Sequence, residues 1–162
     1  MLENFEYTKW ACYESMRMDA PAPSTFPALF KKTVKVGGVE ITPKDSFMVN
    51  FDAIQKDPAQ WIDPERFDPS RFDPQSPMAL KPNGEPRHPL AFCAFSGGKR
   101  VCLGKTFAEI MLKVMVPLIL YHFEFEVADE IQKGKNKPTY QTTAPKAPVM
   151  NLKVKQLRQV NI

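Results

Sequence analysis

Between residues 58 and 89 the chain carries eight prolines, half of the 16 in its 162 residues. A fixed φ and a missing backbone N–H keep so dense a run out of helix interiors and central strands. Structureless connections of this length are usually either functional or disordered. Four large apolar side chains recur along this stretch: Trp61, Phe67, Phe72 and Leu80. They favour an ordered, packed meander over a flexible tail.

Hydrophobic spacing outside the meander predicts two helices and several short strands. Apolar residues at helical intervals, with no Gly or Pro between them, predict a helix over 2–18. A second apolar face predicts a helix over 105–121, with Pro117 kinking or weakening its last turns. Strand signals fall at 33–36, 39–41, 47–51, 122–127, 140–143 and 148–154. The first two flank a Gly-Gly hairpin turn, and the last two are expected to form a closing hairpin.

These elements predict one domain of mixed α and β structure, mainly α, and the chain length fits a single domain. Its expected parts are a helix at 1–19, strands at 20–57, the meander at 58–94, a cysteine-containing loop at 95–104, a helix at 105–121 and strands at 122–162.

Several classes of protein are disfavoured by composition. A net charge of +4, without basic runs interleaved with aromatic residues, gives no support for nucleic-acid binding. Three cysteines without a C-x-x-C pair form neither a disulfide framework nor a zinc knuckle, which favours a reduced compartment. The first ten residues lack the pattern of a signal peptide. The longest apolar run, 114–121, is far shorter than the roughly 18 residues that indicate a membrane span.

The segment FSGGKRVCLGKT, residues 95–106, admits two interpretations. Its Gly-Lys-Thr ending resembles a phosphate-binding loop, G-x-x-x-x-G-K-[ST]. The position of the first glycine in that pattern holds Lys99, however, and Gly98 comes one residue too early. One extra residue spoils the convergence of backbone N–H groups on a phosphate. A nucleotide fold would also need several βαβ units downstream, where only one helix is predicted.

The second interpretation is a thiolate metal ligand. Cys102 lies at the start of the predicted second helix, where N–H groups and the helix dipole favour a thiolate. Gly98 and Gly104 allow the backbone to approach a flat, bulky ligand. Arg100 supplies a fixed positive charge for a carboxylate of that ligand. Phe95 is placed to cover the sulfur and exclude water.

The pattern F-x-x-G-x-R-x-C-x-G in this segment resembles the heme-binding loop of the cytochrome P450 family. It is filled by Phe95, Gly98, Arg100, Cys102 and Gly104, and the agreement continues to Ala108. The first helix contains Glu14-Ser-Met-Arg17, which resembles the E-x-x-R of the same family. Residues three apart share a helix face, so Glu14 and Arg17 are able to interact directly.

A third family feature is an arginine from the meander, for which the sequence offers two candidates. Arg66 lies in a literal P-E-R-F. The longer family pattern, W-x-x-P-x-x-F-x-P-x-R-F, fits without a gap from Trp61 to Phe72 and selects Arg71. The resemblance thus implies a buried network of Glu14, Arg17 and Arg71 that locks the meander behind the heme.

The resemblance implies the C-terminal, heme-proximal part of a eukaryotic-type member: K-helix, short strands, meander, Cys loop, L-helix and C-terminal hairpin. It implies heme b held through its iron by the Cys102 thiolate. The implied reaction is monooxygenation of a lipophilic small molecule, with the thiolate pushing electron density to favour O–O cleavage. These 162 residues contain no counterpart of the family's distal helix, so the chain is expected to be inactive alone and to need the N-terminal portion of the same fold.

Other implications of the resemblance carry open alternatives. Family members suggest the endoplasmic reticulum membrane, but no anchor or signal is recognised here and the localisation stays unknown. A basic face for an electron-donor reductase, or else ordinary solvated side chains, is formed by Lys99, Arg100, Lys105 and Lys113. Positions that match the family's substrate pocket, or are simply polar turn and strand-end residues, are Ser24, Thr25, Thr142 and Thr143. A degenerate, non-catalytic heme-binding fragment and a nucleotide-binding loop protein remain the alternative functions.

Overall fold

The computed structural model describes residues 5–127 and 152–157. These residues contain three helices and six short strands, joined by turns and loops. The helices are α1 (Glu6–Met18), α2 (Phe51–Gln55) and α3 (Lys105–His122). The strands are β1 (Ala28–Leu29), β2 (Val34–Val36), β3 (Val39–Ile41), β4 (Ser46–Phe47), β5 (Phe123–Val127) and β6 (Leu152–Gln156). Short 3-10 turns cover Pro69–Phe72, Pro77–Ala79 and Gly98–Arg100.

The strands form three antiparallel pairs: β1 with β4, β2 with β3, and β5 with β6. The β2–β3 hairpin turns at Gly37 and Gly38, whose φ angles of 55° and 87° are left-handed and suit glycine. Strand β6 pairs with β5 from Phe123↔Gln156 to Val127↔Leu152. The expected hairpin arm at 140–143 lies outside the described residues.

The strand predicted at 47–51 is wrong beyond Phe47, and the span 20–57 is not made of strands alone. Residues Phe51–Gln55 form α2, because the side-chain oxygen of Asn50 accepts a hydrogen bond from the N–H of Ala53 at 3.0 Å. An asparagine side chain in this position caps a helix and competes with continuation of the strand.

The meander is packed against α1 and α2 and carries much of the interior. Among the described residues, the large side chains that are at most 1% exposed are four charged or polar ones and one apolar one: Glu14, Arg17, Gln55, Arg71 and Trp61. Beside them the rings of Tyr13 and Phe92 stack with centroids 5.1 Å apart, and Phe72 meets both edge-on. The proline-rich stretch is therefore held by polar contacts as much as by apolar burial.

Helix α3 continues through Pro117 to His122, one residue beyond the predicted end. It packs on α1, where the Tyr13 hydroxyl donates a hydrogen bond to the Glu109 carboxylate. None of the α3 side chains is buried among the described residues, and Phe107, on the predicted apolar face, is 70% exposed. Exposed apolar side chains recur along α3 from Phe107 to Tyr121, which is typical of an interaction site. No helix in the described parts of the chain has both the length and the apolar character to cross a membrane.

Candidate functional site

The Cys loop, residues 95–104, is closed by a backbone hydrogen bond between its two ends. The N–H of Cys102 donates to the carbonyl oxygen of Phe95 at 2.8 Å. On the entry side the N–H of Ser96 donates to the oxygen of Cys93 at 2.8 Å, and on the exit side the N–H of Lys105 donates to the oxygen of Cys102 at 3.2 Å. Cys102 is thereby fixed to the loop entrance and to the first residue of α3.

The two glycines of the family pattern have different roles in this loop. Gly98 has a φ of +61°, a left-handed conformation that L side chains rarely adopt, and a Cβ there would meet nothing within 4 Å. Gly104 has a φ of −82°, which any residue tolerates, and its added Cβ would lie 3.9 Å from the Cys102 sulfur. The left-handed φ at 98 favours glycine, whereas glycine at 104 leaves space beside the thiol.

Burial separates Cys102 from the other two cysteines. Cys93 is buried, and this burial raises the pKa of its thiol to about 11. Partial burial also raises the pKa of the Cys12 thiol. Cys102 is exposed. Of the three cysteines it is the most exposed, and its thiol is therefore the most accessible to a ligand from outside the described residues.

The surroundings of Cys102 fit a prosthetic group that brings most of its own metal ligands. Within the described ranges no group of three or more His, Cys, Asp or Glu side chains is placed to hold a bare metal ion. Val101 and Leu103, its neighbours in sequence, and Phe107, in the first turn of α3, have exposed apolar side chains. A single soft thiolate ligand with an apolar rim suits a heme iron, whose other ligands come from the macrocycle. Arg100, two residues before Cys102, is exposed, and Phe95 and Ala108 are half-buried. The exposure of these three residues is compatible with a bound heme.

The buried ion cluster consists of Glu14, Arg17 and Arg71. Arg17 binds Glu14 with two bonds, Nε to Oε2 at 2.7 Å and Nη2 to Oε1 at 2.9 Å. Arg71 Nε donates to Glu14 Oε1 at 3.0 Å, and the N–H of Asp68 donates to the same oxygen at 2.9 Å. All three ionic side chains are at most 1% exposed. Charges so deeply buried are tolerated only when paired and hydrogen-bonded.

The remaining donors of Arg71 go to the meander backbone. They bond the carbonyl oxygens of Ile62, of Asp63 at 2.6 Å and of Arg66 at 3.1 Å. The side chain of Arg66, by contrast, is 68% exposed and 3.9 Å from the Asp68 carboxylate. The structure thus pairs Arg71 with Glu14 and leaves the Arg66 side chain exposed to solvent. The Arg66 carbonyl oxygen, however, accepts a hydrogen bond from Arg71.

A third arginine, Arg87, joins this region and was missed at the sequence level. Its Nη1 donates to the carbonyl oxygen of Arg71 at 3.1 Å, and its Nη2 donates to that of Met78. Its guanidinium lies 4.1 Å from the centroid of the Trp61 ring, a cation–π contact. Burial and the nearby Arg71 charge lower the pKa of Arg87 to about 10, so it remains charged at neutral pH. No spacing signal marks Arg87, because it follows a Pro- and Gly-rich turn typical of a solvated loop.

The predicted substrate-facing residues are only partly within the described chain. Thr25 Oγ1 accepts a hydrogen bond from the N–H of Val49 at 3.0 Å. Ser24 forms an isolated bridge with Asn50 and lines an open cavity of about 250 Å³. Thr142 and Thr143 lie outside the described residues.

The basic side chains near the loop are not equally free. Lys99, Arg100 and Lys105 are exposed, and Lys105 Nζ lies 4.0 Å from the Glu109 carboxylate. Lys113 is half-buried and its Nζ is 3.8 Å from the Glu6 carboxylate. The positive surface beside Cys102 is therefore concentrated at Lys99, Arg100 and Lys105.

Comparison with known proteins bears on this arrangement of loop, helix and ion cluster. The sequence model described as cytochrome P450 matches residues 1–151. The chain belongs to the cytochrome P450 family. The melianol synthase CYP71BQ5 of Azadirachta indica is 35% identical over 126 residues, which are 78% of this chain and 24% of that protein. Cytochrome P450 4X1 of Mus musculus is 33% identical over 146 residues, 90% of this chain and 27% of that protein.

The solved structure titled "Retinoic acid bound cyanobacterial CYP120A1" has the same fold as this cytochrome P450 chain. The TM-score is 0.75 at 25% sequence identity, and the match covers 96% of this chain and 34% of that chain. The predicted fold class, a mixed and mainly helical part of the cytochrome P450 fold, is confirmed. The chain spans about a quarter of the length of the curated relatives that it matches.

Proposed function

We propose that this chain supplies the heme-binding, thiolate side of a cytochrome P450 monooxygenase, with Cys102 as the axial ligand of heme b. The observation that carries the proposal is the state of Cys102 itself. It is the exposed cysteine of the three, on a closed loop at the start of α3, and the sequence around it resembles the family's heme-binding loop. A functional heme ligand must be reachable in this way.

Each residue of the Cys loop has a distinct part in this proposal. Cys102 binds as the thiolate, which the positive end of α3 favours electrostatically. Arg100 pairs with a carboxylate of the group, and Phe95 limits the access of water to the sulfur. Gly104 keeps space beside the sulfur, since a Cβ would lie 3.9 Å from it. When bound, the heme supplies activation of O₂, and electron donation from the thiolate favours O–O cleavage.

The buried ion cluster has a supporting role in the same proposal. Arg71 reaches from Glu14 to three carbonyl groups of the meander, so the cluster fixes the meander against α1. The meander, residues 58–94, leads directly into the Cys loop. The cluster therefore holds the fold that presents Cys102 and takes no part in the chemistry.

Substrates and partners follow from the family and from the exposed surfaces. A lipophilic small molecule is the proposed substrate, with Ser24, Thr25, Thr142 and Thr143 as candidate contacts. An electron-donor reductase with an acidic face is the proposed redox partner, docking on Lys99, Arg100 and Lys105, which are exposed near the ligand. Charge complementarity of this kind speeds association and falls with salt.

These residues on their own are not expected to turn over substrate. Oxygen activation needs a dry pocket on the other face of the heme, and the open α3 surface, including Phe107 and Leu118, fits a cover by the rest of the family's fold. We define the complemented protein as this chain joined to the N-terminal part of a curated relative.

The test supplies heme, NADPH, a reductase and a panel of lipophilic substrates to three samples. Product is expected from the complemented protein, and neither from its Cys102→Ser variant nor from the 162-residue chain alone. Turnover that survives Cys102→Ser would overturn the proposed ligand. A complemented protein that binds heme through Cys102 without oxygenating any substrate would favour a non-catalytic heme protein.

A further inference from the structure

Gln55, the last residue of α2, has every polar group of its side chain paired in the interior. Its Nε2 donates to the carbonyl oxygens of Met16 at 3.1 Å and Arg17 at 3.3 Å. Its Oε1 accepts a hydrogen bond from the N–H of Cys93 at 3.1 Å. The side chain is 0% exposed. A carboxamide, which carries both N–H donors and a carbonyl acceptor, is the side-chain group that fits these three contacts.

The two ends of this contact belong to different parts of the fold. Met16 and Arg17 lie in the last turn of α1, where helix carbonyls have no partner within the helix. Cys93 lies two residues before Phe95, the first residue of the Cys loop. The Gln55 side chain therefore ties the end of the helix that carries the buried ion cluster to the entrance of the loop.

Backbone hydrogen bonds continue from that entrance to the N–H of Cys102. The carbonyl of Cys93 accepts from the N–H of Ser96 at 2.8 Å, and the carbonyl of Phe95 accepts from the N–H of Cys102 at 2.8 Å. Displacement of Cys93 would shift both acceptors. Because the loop is otherwise half-buried or exposed, Gln55 is the fully buried anchor on its entry side.

A second glutamine, Gln60, contacts the backbone of His88, which precedes Cys93 in the same stretch of chain. The Gln60 side chain accepts a hydrogen bond from the N–H of His88 at 3.0 Å. Gln60 is partly exposed, so water is able to replace its oxygen at small cost. Gln60 therefore serves as a matched control for Gln55. Both side chains accept a hydrogen bond from a backbone N–H, but Gln60 is more exposed to solvent.

We propose that Gln55 is a positioning residue for Cys102, acting through Cys93 and the Cys loop. The proposal deepens the proposed function and rests on it only for what Cys102 binds. The loop geometry that it explains exists without heme. Burial makes the Gln55 contacts costly to lose, because each freed backbone group would remain without water.

The test measures amide hydrogen exchange in the heme-free complemented protein. Gln55→Met keeps the volume and removes all three hydrogen bonds, Gln60→Met does the same at the wetter site, and Gln75→Met at an exposed position is the control. In Gln55→Met the Cys102 amide is expected to exchange about fivefold to tenfold faster, as for a lost net hydrogen bond. The Ala108 amide, which donates to Gly104 within α3 at 2.9 Å, is expected to keep its rate.

Three outcomes decide the inference. A Cys102 amide unchanged in Gln55→Met while the Cys93 amide accelerates would overturn it. Equal acceleration of Cys93, Cys102 and Ala108 would show general destabilisation and also overturn it. Gln55→Glu is the second variant, since it keeps an acceptor for Cys93 but removes the two amide donors to α1 and retains at most one O–H donor when protonated. If Gln55→Met does not fold, acceleration at Cys102 in Gln55→Glu supports the tether and its absence contradicts it.

A spectroscopic measurement separates this inference from the proposed function. On saturation with heme, reduction and addition of CO, Gln55→Met is expected to show a smaller fraction of the red-shifted, thiolate-type Soret band than Gln60→Met. If the unmodified complemented protein shows no such band, the proposed function fails, while the exchange data still decide the role of Gln55.

Discussion

Glu14 Oε1 lies 3.0 Å from Arg71 Nε, across 57 positions of sequence and at a site with 1% exposure or less. The same carboxylate accepts two further bonds from Arg17 and one from the N–H of Asp68. A single carboxylate thus connects α1 to the meander. Removal of one of its partners is expected to lower the stability of the fold, because an unpaired buried charge is strongly destabilising.

Arg71→Ala is expected to lower the free energy of unfolding of the complemented protein by about 3–5 kcal/mol. The variant leaves Glu14 with one guanidinium and leaves the meander carbonyls of Ile62 and Asp63 without their donor. Arg66→Ala is the matched control and is expected to change stability by no more than about 0.5 kcal/mol, since its side chain is exposed. Urea unfolding of both variants checks this. Equal losses, or a larger loss in Arg66→Ala, would contradict the energetic role assigned to Arg71.

At the sequence level this pairing was implied by the resemblance to the cytochrome P450 family and its spaced motif. Trp61 to Phe72 fit one continuous motif, and that motif selects Arg71 over the more literal match at Arg66. The helix limits at Met18 and Lys105 also follow from local signals: prolines after the first helix and a glycine before the second.

What the sequence did not predict depends on contacts between distant residues. Gln55 and Arg87 have no periodic neighbours, and their roles arise only when α1, α2 and the meander pack together. Helix α2 was predicted as strand because Phe47 and Phe51 mimic a β segment, whereas the cap at Asn50 decides the local structure. The Tyr13–Glu109 bond joins residues 96 positions apart and likewise has no local signature.

Tyr13→Phe is expected to change how stability depends on alkaline pH. Burial, the hydrogen bond to Glu109 and that carboxylate's charge hold the pKa of Tyr13 well above its ordinary range. A group whose pKa is raised on folding stabilises the protein below its unfolded pKa of about 10, and this contribution is lost as pH rises toward the folded pKa. The unmodified protein is therefore expected to lose stability above about pH 10.

The measurement is the free energy of unfolding of the complemented protein at several pH values. Tyr13→Phe is expected to be less stable by about 1 kcal/mol near pH 7 and to show a shallower fall above about pH 10. Tyr7→Phe, at an exposed position of the same helix, is expected to reproduce the unmodified curve. A Tyr13→Phe curve parallel to the unmodified one would mean that Tyr13 does not titrate differently in the folded protein.

Gly98→Ala and Gly104→Ala are expected to differ although both glycines belong to one pattern. Alanine at 98 must adopt a φ of +61°, which costs about 1–2 kcal/mol. Alanine at 104 has an ordinary φ of −82° and is expected to change stability by no more than about 0.5 kcal/mol. Thermal unfolding of the heme-free complemented protein compares them. Similar losses would indicate that the loop is not held in this conformation.

Alkylation with iodoacetamide at pH 8 is expected to label Cys102 before Cys93 and Cys12. Cys102 is exposed, whereas burial shields the other two and raises the pKa of Cys93 to about 11 and that of Cys12 above its ordinary value. Peptide mass spectrometry of the native, heme-free complemented protein gives the order. Labelling of Cys93 first would place the accessible thiol elsewhere.

The most direct test of the proposed function is the spectrum of the reduced CO complex after replacement of each cysteine. The complemented protein is loaded with heme, and Cys102→Ser is compared with Cys93→Ser and Cys12→Ser at equal heme content. We expect the red-shifted, thiolate-type Soret band to disappear in Cys102→Ser and to persist in the other two variants. A thiolate-type band that survives in Cys102→Ser would show that the iron ligand is a residue other than Cys102.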